Sequence, residues 1–286
     1  MLALAPLLPS LYGAAAIVLL LAGSEGLRAT SVPRGLQDAP TPIIEAMAPD
    51  SGALSGGDTA TLTGVGLTAV TGVEFAGQPA EVVSVTNSEL VVTVPAERLF
   101  TAGTAEVDVF AEDAELPVDL DWTYVTTTPV DRQLEYAFQY WKDYNVAAYG
   151  DFNLWGGDCM NFVSQTLVAR GWVPSPDWFN SAQQDWAPAF VHVPSFDEWL
   201  AGHPELGAVR LGEADWEQAK LGDVVVLDWD GNGSLDHAQV ISRIRSPDPA
   251  GIEMVGHNVE STYRSIEQAL DDQGKPAAQV WIWSIL

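Results

Sequence analysis

The chain has 286 residues, 47% of them hydrophobic, enough to bury more than one core, and its expected organisation is two domains after an N-terminal segment. Only 12 Lys and Arg face 39 Asp and Glu, a formal charge of -27, so there is no basic groove for nucleic acid and no basic face for anionic lipid. The single cysteine excludes an intramolecular disulfide and leaves one thiol whose chemistry has to be explained.

Residues 11–22, LYGAAAIVLLLA, are an apolar run followed by Gly23 and Ser24. The run is too short to span a bilayer and has the length of a signal-peptide core, although no Lys or Arg precedes Arg28. Residues 1–24 are therefore expected to be a signal-peptide-like segment of a secreted, extracellular bacterial protein with no stable membrane insertion once the segment is removed. A membrane-tethered N-terminus is the competing expectation. Residues 25–41 are polar, carry Pro33 and Pro40, show no periodicity and read as a linker.

From 42 to 127 the chain is rich in short β runs at 59–63, 72–75, 81–85, 90–94, 105–110 and 119–125, punctuated by Gly, Pro and Asn-Ser. TATLTG and AEVDVF alternate apolar and polar residues, as half-buried strands do. This spacing predicts a small all-β sandwich. The segments Pro49-Asp50-Ser51-Gly52, Ser55-Gly56-Gly57-Asp58 and Leu62-Thr63-Gly64-Val65-Gly66 resemble the IPT/TIG family of immunoglobulin-like domains. That resemblance implies a spacer or binding module. No polar constellation in it points to chemistry.

Residues 129–286 differ in composition: ten of the eleven tryptophans and all four histidines lie there. Leu134, Phe138, Trp141 and Ala148 recur at near-helical spacing and predict a helix over 131–150. A second helix is expected over 159–170, with Phe162, Val163 and Leu167 inward and Gly171 as its stop. A Trp-rich irregular stretch is expected over 172–216, then strands over 223–228, 237–244, 252–256 and 278–284.

Cys159 lies in GGDCMNFVSQ, at the start of the second helix. A lone cysteine in an apolar helix is ordinarily a buried small hydrophobe. A helix N-terminus and a neighbouring imidazole are the two devices that make a thiol nucleophilic, and the free N–H groups there can also receive an oxyanion. Gly156 and Gly157 allow close approach of backbone to substrate, and Asp158 could cap the helix or orient the turn. His237 opens a strand directly after a turn-rich run and is the candidate base. Its orienting partner is expected on the next strand, with His257 first and Asn258 second. Tyr144, Asn145, Tyr149 and Asn153 are alternatives for a second oxyanion donor. His192 and His203 are expected to be structural.

GGDCMNFVSQ, LGDVVVLDWDGNGSLDHAQVIS and VGHN together resemble the family called "Putative amidase domain" of the papain-like superfamily, and more distantly the NlpC-type and CHAP cell-wall hydrolases. The resemblance implies an α+β papain-like domain in which a helix-borne cysteine packs on an antiparallel sheet. It further implies a cysteine hydrolase of amide bonds, with Cys159 as nucleophile, His237 as base and His257 as orienting residue. No cofactor is required, and a peptide or amide, with peptidoglycan foremost, is the expected substrate. Met160 departs from the family pattern, where a small polar residue is expected, and adds bulk beside the thiol. A catalytically inactive binding or adhesion protein on the same fold is the rival reading; an amidase for small secreted metabolites is a third.

Asp228, Asp230, Asn232 and Asp236 occupy loop positions 1, 3, 5 and 9 of a calcium-loop pattern with Gly233 at 6, but position 12 is Gln239 and not the closing Glu. An Asp-Gly-Asn-Gly hairpin connection is the favoured reading of this loop, and calcium the alternative.

Overall fold

A computed structural model describes residues 41–112, 114–274 and 277–286; the signal-like segment and all but the last residue of the expected linker lie outside them. The first domain is all β. Its strands are β1 (Ile43–Ala48), β2 (Ser51–Ala53), β3 (Thr59–Val65), β4 (Val70–Phe75), β5 (Gln78–Pro79), β6 (Glu81–Val85), β7 (Glu89–Thr93), β8 (Gly103–Ala111), β9 (Ala114–Glu115) and β10 (Asp121–Val125). One sheet has the order β1-β3-β7-β6; the other runs β2-β10-β8-β4-β5, with β9 on β8. Alternation places Ala60 and Leu62 of β3, Leu90 and Val92 of β7, Val107 and Val109 of β8 and Trp122 and Tyr124 of β10 in one core. All six expected strand runs are present, extended by up to two residues or trimmed by as many. β1, β2, β5 and β9 were not expected, being short or lacking a clear apolar alternation.

The second domain is α+β. Helix α1 (Pro129–Tyr140) opens with a capping box between Thr128 and Asp131 and has Pro at its first position. It does not continue to 150 as its periodicity predicts. The Tyr140 carbonyl, which a continuing helix would use internally, instead accepts a hydrogen bond from His257 Nε2 at 2.9 Å. The chain breaks there and resumes as α2 (Val146–Tyr149). Helix α3 (Cys159–Arg170) has the expected bounds and stops at Gly171, whose φ of +119° suits glycine.

The stretch 172–216 is less irregular than expected. It contains the hairpin β11 (Asn180–Ser181) and β12 (Asp185–Trp186), helices α4 (Pro188–Val191) and α5 (Val193–Ala201), and β13 (Val209–Leu211). Its tryptophans obscured an apolar helical face, Val193, Phe196 and Leu200, that α5 buries. The remaining elements are β14 (Val224–Asp228), β15 (His237–Ile244), β16 (Ile252–Gly256), β17 (Ser261–Ser265), α6 (Ile266–Gln273) and β18 (Gln279–Ser284). Together with β13 the last strands form one antiparallel sheet of order β13-β18-β14-β15-β16-β17. Ala238 and Val240 turn one face of β15 toward α3, while Val225, Leu227 and Ile241 build a second core with α6 on the other.

Asp131 joins the domains. Its Oδ1 accepts the Ser55 N–H of the first domain at 2.8 Å, and its Oδ2 accepts the Thr127 and Thr128 N–H groups at 2.9 and 2.7 Å. Burial opposes ionisation of this carboxyl, but the N–H donors outweigh it and hold the group below the usual carboxylate range. Phe100 packs on Phe138 at 4.8 Å, and the Tyr263 hydroxyl donates to the Arg98 carbonyl across the same joint.

Candidate active site

Gly156 and Gly157, with φ of +118° and +130°, turn the chain into α3 so that Cys159 stands at its first position. Gly157 is constrained further: a Cβ there would lie 3.2 Å from Asn258 Oδ1. Asp158 does not cap the helix through its side chain. It organises the turn. Oδ1 accepts from Phe152 N–H at 3.0 Å and Asn161 Nδ2 at 2.9 Å, and Oδ2 accepts from His257 Nδ1 at 2.6 Å.

Cys159 and His237 line one cavity of about 370 Å³, together with Asn153, Asn258, Asp236 and Arg264. The loop 229–236 delivers His237: it connects β14 to β15 in a hairpin in which Leu227 pairs with His237. Ala238, the next residue, directs its backbone N–H to the Cys159 sulfur, as does Met160 from the first turn of α3. Burial nevertheless dominates and pushes the thiol up to about 11, with the Asp158 charge acting in the same direction. Burial, aided by the Arg264 charge, pushes the His237 imidazole down to about 4. The sequence-based expectation of a thiol lowered by the helix end is thereby corrected: the resting site pairs a neutral thiol with a neutral imidazole. Among the described residues no hydrogen bond joins the two, and His237 Nε2 is buried without a partner. The imidazole lies against the Trp229 ring, centroids 5.6 Å apart.

Neither expected partner orients His237. Both ring nitrogens of His257 are committed, Nδ1 to the Asp158 carboxylate and Nε2 to the Tyr140 carbonyl. The ring is wedged between Tyr144 at 3.6 Å and Phe162 at 4.1 Å. Asn258, at φ +63°, accepts the Asp158 N–H at 2.6 Å and donates to Asn153. Both residues therefore brace the cysteine turn. Among the four expected oxyanion candidates, Asn153 lines the cavity; the Tyr144 hydroxyl donates to Glu260, and Asn145 donates to the Tyr136 hydroxyl. Met160 is fully buried in the core and lines neither cavity at the thiol, so its bulk does not intrude there.

A second cavity of about 430 Å³ shares Gly156, Gly157, Cys159 and Asp236 with the first and continues past Phe152, Trp155, Trp186 and His192. The thiol thus sits where a polar and an aromatic recess meet. Arg264 had no signature in the sequence, because β17, which supplies it, is short and follows β16 closely; in the aromatic wall Trp186 comes from β12, and Phe152 and Trp155 from the turn before α3. His203 bonds to the Trp199 carbonyl, as a structural residue would; His192 bonds to Ser195 but also lines the second cavity at the thiol.

In the loop, Asp228 accepts three backbone N–H groups, Gly231 and Gly233 at 2.8 and 2.7 Å and Asn232 at 3.3 Å. Asp236 Oδ2 accepts the Trp229 N–H at 2.7 Å, and Asn232 accepts that of Ser234. Carboxylate oxygens of Asp228, Asp230 and Asp236 come within 4.8 Å of one another. The connection is a β-hairpin that its own side chains hold in shape.

Residues 129–283 match the family described as "Putative amidase domain", and residues 42–124 match "IPT/TIG domain". No curated protein matches the chain. Among solved structures, it is similar to the extracellular region of plexin A4, at 27% identity over 30% of this chain and 8% of that one, with a TM-score of 0.27. It is similar to gamma-CGTase from Alkalophilic bacillus clarkii, at 25% identity over 30% of this chain and 12% of that one, TM-score 0.25. It is also similar to SGBP-B of the mixed-linkage glucan utilization locus of Bacteroides ovatus, at 8% identity over 82% and 50% of the two chains, TM-score 0.21. The chain therefore spans a small part of the first two and half of the third.

Proposed function

The chain belongs to the family called "Putative amidase domain", and from that premise we propose that it is a secreted cysteine-dependent amide hydrolase of papain-like type. The observation that carries this reading is the convergence of Cys159, at the N-terminus of α3, and His237, at the head of β15, on one cavity wall. A substrate amide enters where the two recesses meet. His237, neutral at rest, accepts the Cys159 proton as the sulfur bonds to the carbonyl carbon. The resulting oxyanion is met by N–H groups of the first turn of α3. His237 returns the proton to the nitrogen as the C–N bond breaks, and water then cleaves the thioester to the acid. Proton transfer within the encounter suits a buried, neutral pair, since neither charge has to persist in the resting site.

The substrate we favour is a peptide amide of peptidoglycan, reached through secretion. The aromatic recess supplies the flat apolar wall on which a peptide or sugar ring can lie. The test is incubation of purified wall peptides with the full chain and with Cys159→Ala. New amine and carboxyl ends, formed by the parent and abolished in the variant, support the reading; equal product from both removes it. The high position of the thiol favours one rival, a wall-binding protein that has lost turnover. That protein would retain wall peptides equally well in both forms and release nothing.

A further inference from the structure

Arg264 lies on β17, opposite Met254 in the sheet, with its side chain 6% exposed. Its Nε and Nη2 both donate to Asp272 Oδ2, at 3.2 and 2.8 Å. Nη1 is buried and has no hydrogen-bond partner among the described residues. A buried guanidinium N–H without an acceptor is costly, and such a group calls for an acceptor brought by something else. The residue forms part of the wall of the cavity that holds Cys159 and His237. Gln273 on the same wall offers a further amide group. The carboxylate on that wall, Asp236, is engaged by the Trp229 N–H. The guanidinium is ion-paired with Asp272, which leaves Nη1 as its uncommitted side. Guanidinium groups match carboxylates in both shape and charge.

We infer that the polar recess is a carboxylate subsite, in which the Arg264 guanidinium holds a carboxylate of the substrate and so directs Cys159 to amide bonds near a free acid. The aromatic recess then receives the uncharged part on the other side of the thiol. This inference rests on the amide-hydrolase reading above.

Acetate and acetamide differ only in the group at issue, and saturation-transfer NMR on the full chain detects weak binding of either without any turnover. Acetate is expected to bind about tenfold more tightly than acetamide, the size of one charge-assisted bond, with the preference lost in Arg264→Gln and reduced in Arg264→Lys. Equal binding of the two probes by the parent chain overturns the subsite, whatever the variants do, and so does a preference that survives Arg264→Gln. Alkylation by iodoacetate and iodoacetamide, run in parallel, separates this result from the fate of the catalytic reading. An Arg264-dependent acetate site on a chain whose thiol neither reagent modifies keeps the subsite and removes the hydrolase.

Discussion

His237 and Cys159 are displaced from their ordinary ionisation in opposite directions, and each displacement makes stability depend on pH. His237 is held near 4 in the folded chain against 6.5 for the free group. Between those values the unfolded chain takes up a proton that the folded chain refuses, so stability falls as pH drops through that window, by up to about 3 kcal/mol. Denaturation at pH 7 and pH 4 should show His237→Gln losing less stability over that interval than the parent. The thiol, at about 11 against 9, acts at the other end: between them the unfolded chain releases a proton first, and stability falls as pH rises. Amide hydrolysis should stay level through neutral pH and decline only as pH falls toward 4, where the base becomes protonated. Beneath the thiol, His257 and Asp158 are both fully buried and joined by one hydrogen bond between His257 Nδ1 and Asp158 Oδ2. Removing one partner strands the other, so His257→Leu should cost about 3–5 kcal/mol in a urea titration.

At the scale of elements, α3, β15 and β16 were legible to the residue because each has a local signal: glycines at both ends of α3, a turn-rich run before β15, and in β16 the apolar Ile252, Met254 and Val255 closed by Gly256. The end of α1 was not legible, because the group that takes its last carbonyl lies 117 residues further on. β17 and α6 were missed for a similar reason: α6 follows β17 with no loop between, and only the Ser265–Gln268 capping box marks the change. Cys159 and His237 were readable as a pair from their places at a helix start and a strand head. The role of His257 was not, since chain order says which strand a histidine occupies but not which partner its ring finds. The loop before β15 is held by Asp228 through three N–H bonds. If the hairpin reading of this loop is right, excess chelator should leave both the melting temperature and the rate of Cys159 alkylation unchanged. A chelator-dependent fall in either would assign the loop to calcium.

On the scale of the whole molecule, the two domains share a joint, and the core runs through it from Leu54 to Leu134 and Phe162. Asp131 ties the first domain to the cap of α1, so Asp131→Ala leaves the Ser55, Thr127 and Thr128 N–H groups without their acceptor. A loss of about 2–3 kcal/mol is expected, with faster hydrogen exchange at Ser55 as its local mark. Among the described residues no helix is long and apolar enough to cross a membrane. The groove over Cys159 is built wholly by the second domain. The first domain meets the second at the cap of α1, and the Tyr140 carbonyl at the other end of that helix anchors His257 and through it the cysteine turn.

The most direct test is the rate at which iodoacetamide alkylates Cys159 at pH 7, in the parent chain and in His237→Ala. A thiol at about 11 is ionised to roughly one part in ten thousand at that pH, so unassisted labelling is very slow. If His237 takes the proton, the parent reacts far faster than that fraction allows, and His237→Ala slows it by about a hundredfold, the usual worth of a general base. A rate that follows bulk ionisation of the thiol, and that His237→Ala leaves unaltered, contradicts a catalytic pair.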